Sequence, residues 1–125
     1  MFTLKDIINY KKEEISKKKS QISIKLLKEK NTTNANIRPF LKTIQNSKSS
    51  INIISEIKKA SPSKGVIRQN FEPIEIAKIY EKNSAKCLSI LTDNKFFQGD
   101  DKFIQLVKKE VNIPILRKDF IIDEW

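Results

Sequence analysis

Ile54-Ser-Glu-Ile-Lys-Lys-Ala-Ser-Pro-Ser-Lys-Gly-Val-Ile-Arg-Gln-Asn-Phe71 is the stretch whose reading decides the fold. The apolar run from Ile51 to Ile57 reads as a strand. With a side-chain period of two, Glu56 and Lys58 fall on one face, about 7 Å apart. Beyond them Ser61, Pro62, Ser63 and Gly65 break both the strand and the helix period, which predicts an irregular loop. An acid and a base thus point the same way at the mouth of a strand, beneath a loop carrying hydroxyls and cations. That arrangement suits an anionic small molecule.

Downstream, strand and helix alternate. Pro73, Ile76, Ala77 and Tyr80 form a helical stripe over about 73–83, and Cys87 to Leu91 is a second apolar strand closing with Thr92 and Asp93. Asp100 or Asp101 can cap a helix carrying Phe103, Leu106, Val107 and Val111. Pro114 opens a third strand, Ile113 to Arg117, at a position where proline is permitted. The strand-to-strand intervals, about 36 and 26 residues, suit helical crossovers. Buried-type strands joined this way predict an α/β fold with a parallel sheet. Glu56, Lys58 and Lys118 then fall at strand C-termini, the face where the loops of a βα-barrel converge.

Upstream, residues 3–19 read as an amphipathic helix with Leu4, Ile7, Ile8 and Ile15 on one stripe, and residues 22–30 continue it less regularly. Residues 31–36 are a polar break, with Asn36 as expected N-cap and Pro39 in the first turn of a second helix. Ile37, Phe40, Leu41 and Ile44 give that helix its apolar spacing, and Asn46 to Ser50 ends it. The two helices read as an N-terminal extension, residues 1–50, packed on something else.

The 125 residues suffice for one domain with a modest core. Residues 1–50 hold twelve Lys/Arg against four Asp/Glu, while residues 51–125 hold thirteen against eleven, so the net charge of +10 is concentrated in the first part. A basic half can meet nucleic acid, but the absence of arginine clusters and interleaved aromatics favours a solvated lysine surface. One cysteine, Cys87, and no histidine exclude a disulfide framework, a zinc site and a histidine-based triad within this chain. Cys87 reads as a small core residue. No run has the length of a membrane span and no secretory signal is evident, so a cytoplasmic protein is expected.

A lysine beside a carboxylate can act as a general acid or clamp a carboxylate or phosphate. Phe96, Phe97 and Phe120 lie in or beside the same loops and can wall an aromatic substrate. Plainer readings stand beside these. Glu56 and Lys58 can be a structural ion pair, Lys118 and Asp119 a loop salt bridge, the Ser-Pro-Ser-Lys-Gly stretch a connector, and Phe96-Phe97 core. Lys64 and Arg68 read as solvated. The residues alone reach a phosphate- or carboxylate-handling piece of a βα-barrel.

The text Ile54 to Arg68, Phe71 to Tyr80, Leu88 to Asp93, Phe97-Gln-Gly99 and Ile113 to Asp123 closely resembles the indole-3-glycerol phosphate synthase family, in matching order. The resemblance implies a (β/α)8 TIM barrel of which this chain is the N-terminal portion: two helices ahead of the barrel (1–50), then its first three strands (51–125). It implies the tryptophan-pathway closure of 1-(2-carboxyphenylamino)-1-deoxyribulose 5-phosphate to indole-3-glycerol phosphate, with loss of CO2 and water. A carboxy-lyase acting on a small phosphorylated substrate is therefore expected, with no metal and no organic cofactor. Lys118 matches the family's general acid. Lys58 matches the lysine that contacts the substrate's anionic groups and serves dehydration, and Glu56 the carboxylate that orients these groups. Ser61 and Pro62 match loop positions beside the substrate; Phe97 and Phe120 match aromatic pocket positions.

There are departures. Asn83-Ser84-Ala85 stands where Gly-Ala is common, and Asp100 where serine usually follows Phe-Gln-Gly. The family's second catalytic glutamate, its asparagine and its phosphate-gripping glycine loops have no counterpart in these 125 residues. The stop at Trp125, directly after a strand, reads as a truncation, and such a piece is expected to be inactive alone. The wording near residues 63–68 and 84 also resembles forms fused to phosphoribosylanthranilate isomerase, which leaves a bifunctional parent open. The chain can also be read as a related ribulose-phosphate barrel, as a non-catalytic remnant, or as a basic nucleic-acid-binding protein built on residues 1–50. No nucleic-acid or membrane partner is expected on the leading reading.

Overall fold

A computed structural model describes residues 2–31 and 36–125. They fall into two compact units, Met1–Ile37 with Phe120–Trp125, and Arg38–Asp119.

The first unit begins with α1 (Leu4–Gln21), longer by two residues at its C-terminus than the periodicity implies. A capping box sets its start: the Thr3 side chain accepts from the Asp6 amide, and the Asp6 carboxylate accepts from the Thr3 amide. Ile7 is buried on its apolar stripe, whereas Leu4 is exposed. Ile22 is extended and Ser23 caps a separate helix, α2 (Ile24–Lys30). Residues 22–30 are therefore not a frayed continuation of α1, because one extended residue and a new cap reset the helix axis. In the same unit Trp125 Nε1 donates to the Ile22 carbonyl at 2.7 Å, and Lys19 pairs with Asp123 at 2.6 Å.

The second unit opens with α3 (Phe40–Gln45), so among the described residues three helices precede the first strand rather than the two expected. Asn36 does not cap α3. It has a φ of 108°, which a short polar side chain tolerates, and Pro39 occupies the cap position with no side-chain hydrogen bond. Ile37 and Leu41 are exposed, so the stripe expected from Ile37 to Ile44 buries only part of its length. The polar break expected at 31–36 lies largely outside the described residues.

Three parallel strands, β1 (Ile54–Ile57), β4 (Cys87–Leu91) and β5 (Ile115–Lys118), form a sheet in the order β1-β4-β5. The sequence-based bounds are wider at the start of β1 and shifted at β5. β1 begins at Ile54 because that residue is the first with a register partner, Cys87. β5 begins at Ile115, after Pro114, whose carbonyl accepts from the Leu88 amide. Between β1 and the next helix, the stretch read as irregular contains a small antiparallel hairpin, β2 (Ala60–Ser61) with β3 (Gly65–Val66). Gly65, at φ 64°, supplies the left-handed residue that lets the chain reverse.

The crossovers are α4 (Pro73–Lys82) and α6 (Lys102–Glu110), which pack against each other over one face of the sheet. Ile57, Leu88 and Ile90 from the strands meet Ile76 and Ala77 from α4 and Val107 and Val111 from the α6 end. Each buried Val, Leu or Ile among them contributes roughly 1.5–3 kcal/mol. The rings of Phe71 and Phe103 close the edge of this core at 5.7 Å. Leu106, placed on the same stripe by periodicity, is exposed. Among the described residues no helix is long and apolar enough to cross a membrane.

Candidate active site

Strand parity divides the sheet. Ile57 pairs with Ile90 and Leu88 with Ile115, and these residues face or border the helical core. Glu56 therefore points to the opposite face, in register with Ser89, which is in turn in register with Leu116. Lys58, two residues beyond Glu56, and Lys118, two beyond Leu116, share that face at the carboxyl ends of their strands. The structure brings all three charged groups together.

Glu56 is the hub. Its Oε1 lies 2.7 Å from Lys58 Nζ and its Oε2 lies 2.9 Å from Lys118 Nζ. The Glu56 side chain is 29% exposed, Lys58 34% and Lys118 54%. Burial pushes the Glu56 carboxyl up, but hydrogen bonds from Lys58 and Lys118, with their charges, outweigh it and hold the group below its ordinary value. Tyr80 on α4 donates to the Glu56 main-chain carbonyl at 3.3 Å, fixing the backbone from behind. The Glu56–Lys58 pairing and the Lys118 site are thus one three-membered cluster. Lys118 is the last residue of β5 rather than a residue after it, and its partner is Glu56, not the neighbouring Asp119 of the expected loop salt bridge.

Asp119 is engaged elsewhere. Its Oδ2 accepts from Thr92 Oγ1 at 2.9 Å, and Thr92 Oγ1 accepts from Arg117 Nε at 3.2 Å. Arg117 also reaches Asp101 at 3.0 Å. This knot joins the loops after β4 and β5, and sequence reasoning does not find it. Its signal is a hydroxyl and a carboxylate each directly following a strand, which gains meaning only once β4 and β5 are known to be neighbours.

After β4 the chain forms a short helix, α5 (Asn94–Phe97), which packs against β2. Asp93 caps it by accepting from the Phe96 amide at 2.7 Å, and Gln98 ends it at φ 51°. Phe96 is core, Phe97 half-buried. Ser61 and Pro62 are half-buried at the hairpin, where Ser61 Oγ accepts from the Lys64 amide. Lys64 and Arg68 are exposed, as expected. Glu56, Lys58, Ser61, Pro62, Phe97 and Lys118 all belong to the second unit, whereas Phe120 belongs to the first. Cys87 is buried, its thiol pushed up by that burial, and its Sγ lies 3.9 Å from the Phe40 carbonyl.

Two ammonium groups converging on one carboxylate can supply a proton, hold an anion and orient both. The family model described as indole-3-glycerol phosphate synthase matches residues 4–125. Among curated proteins, the indole-3-glycerol phosphate synthase of Priestia megaterium is 47% identical over 120 residues, which is 96% of this chain and 44% of that protein. That of Caldanaerobacter subterraneus subsp. tengcongensis is 48% identical over 122 residues, 98% of this chain and 46% of that protein. That of Bacillus pumilus reaches 56% over 86 residues, 69% of this chain and 34% of that protein. The chain spans less than half the length of these relatives.

Proposed function

The chain belongs to the indole-3-glycerol phosphate synthase family, and on that premise we propose that it carries part of the site that closes 1-(2-carboxyphenylamino)-1-deoxyribulose 5-phosphate to indole-3-glycerol phosphate in tryptophan biosynthesis. The observation that supports this reading most is the single carboxylate, Glu56, shared by Lys58 and Lys118 at strand C-termini.

The reaction joins an aromatic carbon to a carbonyl carbon, then loses CO2 and water. Negative charge grows on the carbonyl oxygen as the new bond forms. An ammonium beside it can donate the proton, and we assign that role to Lys118. The ring regains aromaticity as the carboxylate leaves as CO2. Expulsion of the hydroxyl as water needs a second proton, and we assign that role to Lys58, which in this reading also meets the substrate's anionic groups. Glu56 orients the two lysines. Ser61, Pro62, Phe97 and Phe120 are assigned to substrate binding, with the aromatic rings against the anthranilate part. Acid–base chemistry of this kind asks for neither a metal nor an organic cofactor.

In the same reading the three parallel strands are the first three of an eight-stranded (β/α)8 barrel, residues 51–125 carry them, and residues 1–50 are a helical extension ahead of it. The enzyme is assigned to the cytoplasm, with a small phosphorylated molecule as its partner. The test is direct. The full-length protein carrying residues 1–125 is incubated with the ribulose phosphate substrate, and indole-3-glycerol phosphate and CO2 are followed. Equal amounts of the two are expected. Neither product at saturating substrate would overturn the assignment.

A further inference from the structure

Resting on that reading, we infer that Ser89 is a positioning residue for Glu56, donating the hydrogen bond that replaces a lysine's when an anionic substrate draws Lys58 or Lys118 away. Ser89 sits in the middle of β4, 5% exposed, and its buried Oγ has no hydrogen-bond partner among the described residues. The other β4 residues of the same parity, Cys87 and Leu91, are apolar and buried. A buried hydroxyl with no partner among the described residues is a donor ready to take one. A donor so placed can serve whatever acceptor comes within its reach.

Register indicates the use. Ser89 is directly opposite Glu56 on the adjacent parallel strand, with both side chains on the same face of the sheet. Neighbouring strands lie about 4.8 Å apart, within reach of a hydroxyl and a flexible carboxylate. Each Glu56 oxygen now takes one lysine, at 2.7 and 2.9 Å. The carboxylate and phosphate of the substrate compete for those same ammonium groups. A lysine that turns to the substrate leaves a partly desolvated carboxylate oxygen without its donor, and the Ser89 hydroxyl is the buried donor in register with it. The clamp can then open on one side without Glu56 losing its orientation.

The test uses Ser89→Ala and Ser89→Thr in the full-length protein carrying this chain. Loss of a hydrogen bond to a charged group lowers kcat by about tenfold in Ser89→Ala, with KM little changed. The acid limb of the kcat profile should also move to higher pH, because a carboxylate that has lost a donor protonates more readily. The groups facing Glu56 in that profile are Lys58, Lys118 and, on its main chain, the Tyr80 hydroxyl. Ser89→Thr, which keeps the hydroxyl, should restore both values. Wild-type kcat and an unmoved acid limb in Ser89→Ala would overturn the inference while the assigned activity stands. So would a kcat loss that Ser89→Thr does not rescue and that tracks a lower melting temperature. An inactive wild type would overturn the activity and this inference together.

Discussion

Thr92 Oγ1 donates to the Asp119 carboxylate at 2.9 Å, and the Thr92 amide donates to the Lys118 carbonyl at 3.1 Å. One residue after β4 therefore holds both the backbone and the flanking side chain of the lysine at the end of β5. Replacing Thr92 by valine keeps the shape and removes the hydroxyl. Unfolding in urea should show a loss of about 1–3 kcal/mol, the cost of taking a partner from a buried polar group. A midpoint equal to wild type would mean the knot with Arg117 and Asp119 is slack.

Gly99 is irreplaceable for a steric reason. A Cβ there would strike the Leu91 carbonyl, with the Leu91 and Thr92 carbonyl carbons at 2.8 and 2.9 Å. Backbone on a sheet strand cannot yield as a side-chain tip can. Gly99→Ala should cost about 1–3 kcal/mol or more, read as a drop in the thermal midpoint. Retention of the wild-type midpoint would show that the α5 turn shifts freely.

Ser84 runs the other way. It holds φ at 69°, a left-handed conformation that side chains resist, between α4 and β4. Glycine at this position relieves the strain, so Ser84→Gly should stabilise the protein by about 1 kcal/mol. A lower midpoint in the variant would contradict the strain argument.

Lys118→Ala removes the assigned proton donor at a side chain that is 54% exposed and leaves no cavity in the core. In the full-length protein, kcat should fall about 10²–10⁴-fold, the usual worth of a general acid, with an unchanged far-ultraviolet circular dichroism spectrum. Near-normal turnover would take Lys118 out of the mechanism.

The Glu56 clamp also makes stability depend on pH. Its folded-state pKa lies below the ordinary 4.5, so its contribution is complete above that value and disappears as pH falls through the folded value. Glu56→Gln should therefore be less stable at neutral pH and lose less on acidification from about pH 5 to about pH 2. Parallel stability curves for the two proteins over that range would show that the carboxylate is not so held.

Much of the fold is legible in the local pattern. The parallel sheet follows from apolar runs such as Cys87–Leu91 alternating with stripes such as Ile76-Ala77-Tyr80, because strand and helix periods are read over a few residues. The shared face of Glu56 and Lys58 follows from parity alone. Lys118 joins them only through register across two strands, a relation between residues 62 positions apart that no local period contains. The hairpin at Ala60–Val66 escapes a local reading because its turn residues look like the end of regular structure, whereas Gly65 reverses it. Asn36 misleads as a cap because its chemistry suits a cap and a left-handed turn equally well, and the backbone takes the turn.

The sheet order β1-β4-β5 is the order of the chain itself, with every strand laid beside the one that precedes it in the parallel sheet. No strand has to wait for a later partner before its inner neighbour is in place. A polypeptide leaving the ribosome can thus lay down α4 and β4 against β1, then α6 and β5 against β4, at the pace of synthesis. The cluster of Glu56, Lys58 and Lys118 is complete as soon as β5 docks, so the charged centre is the last thing this order of assembly puts in place.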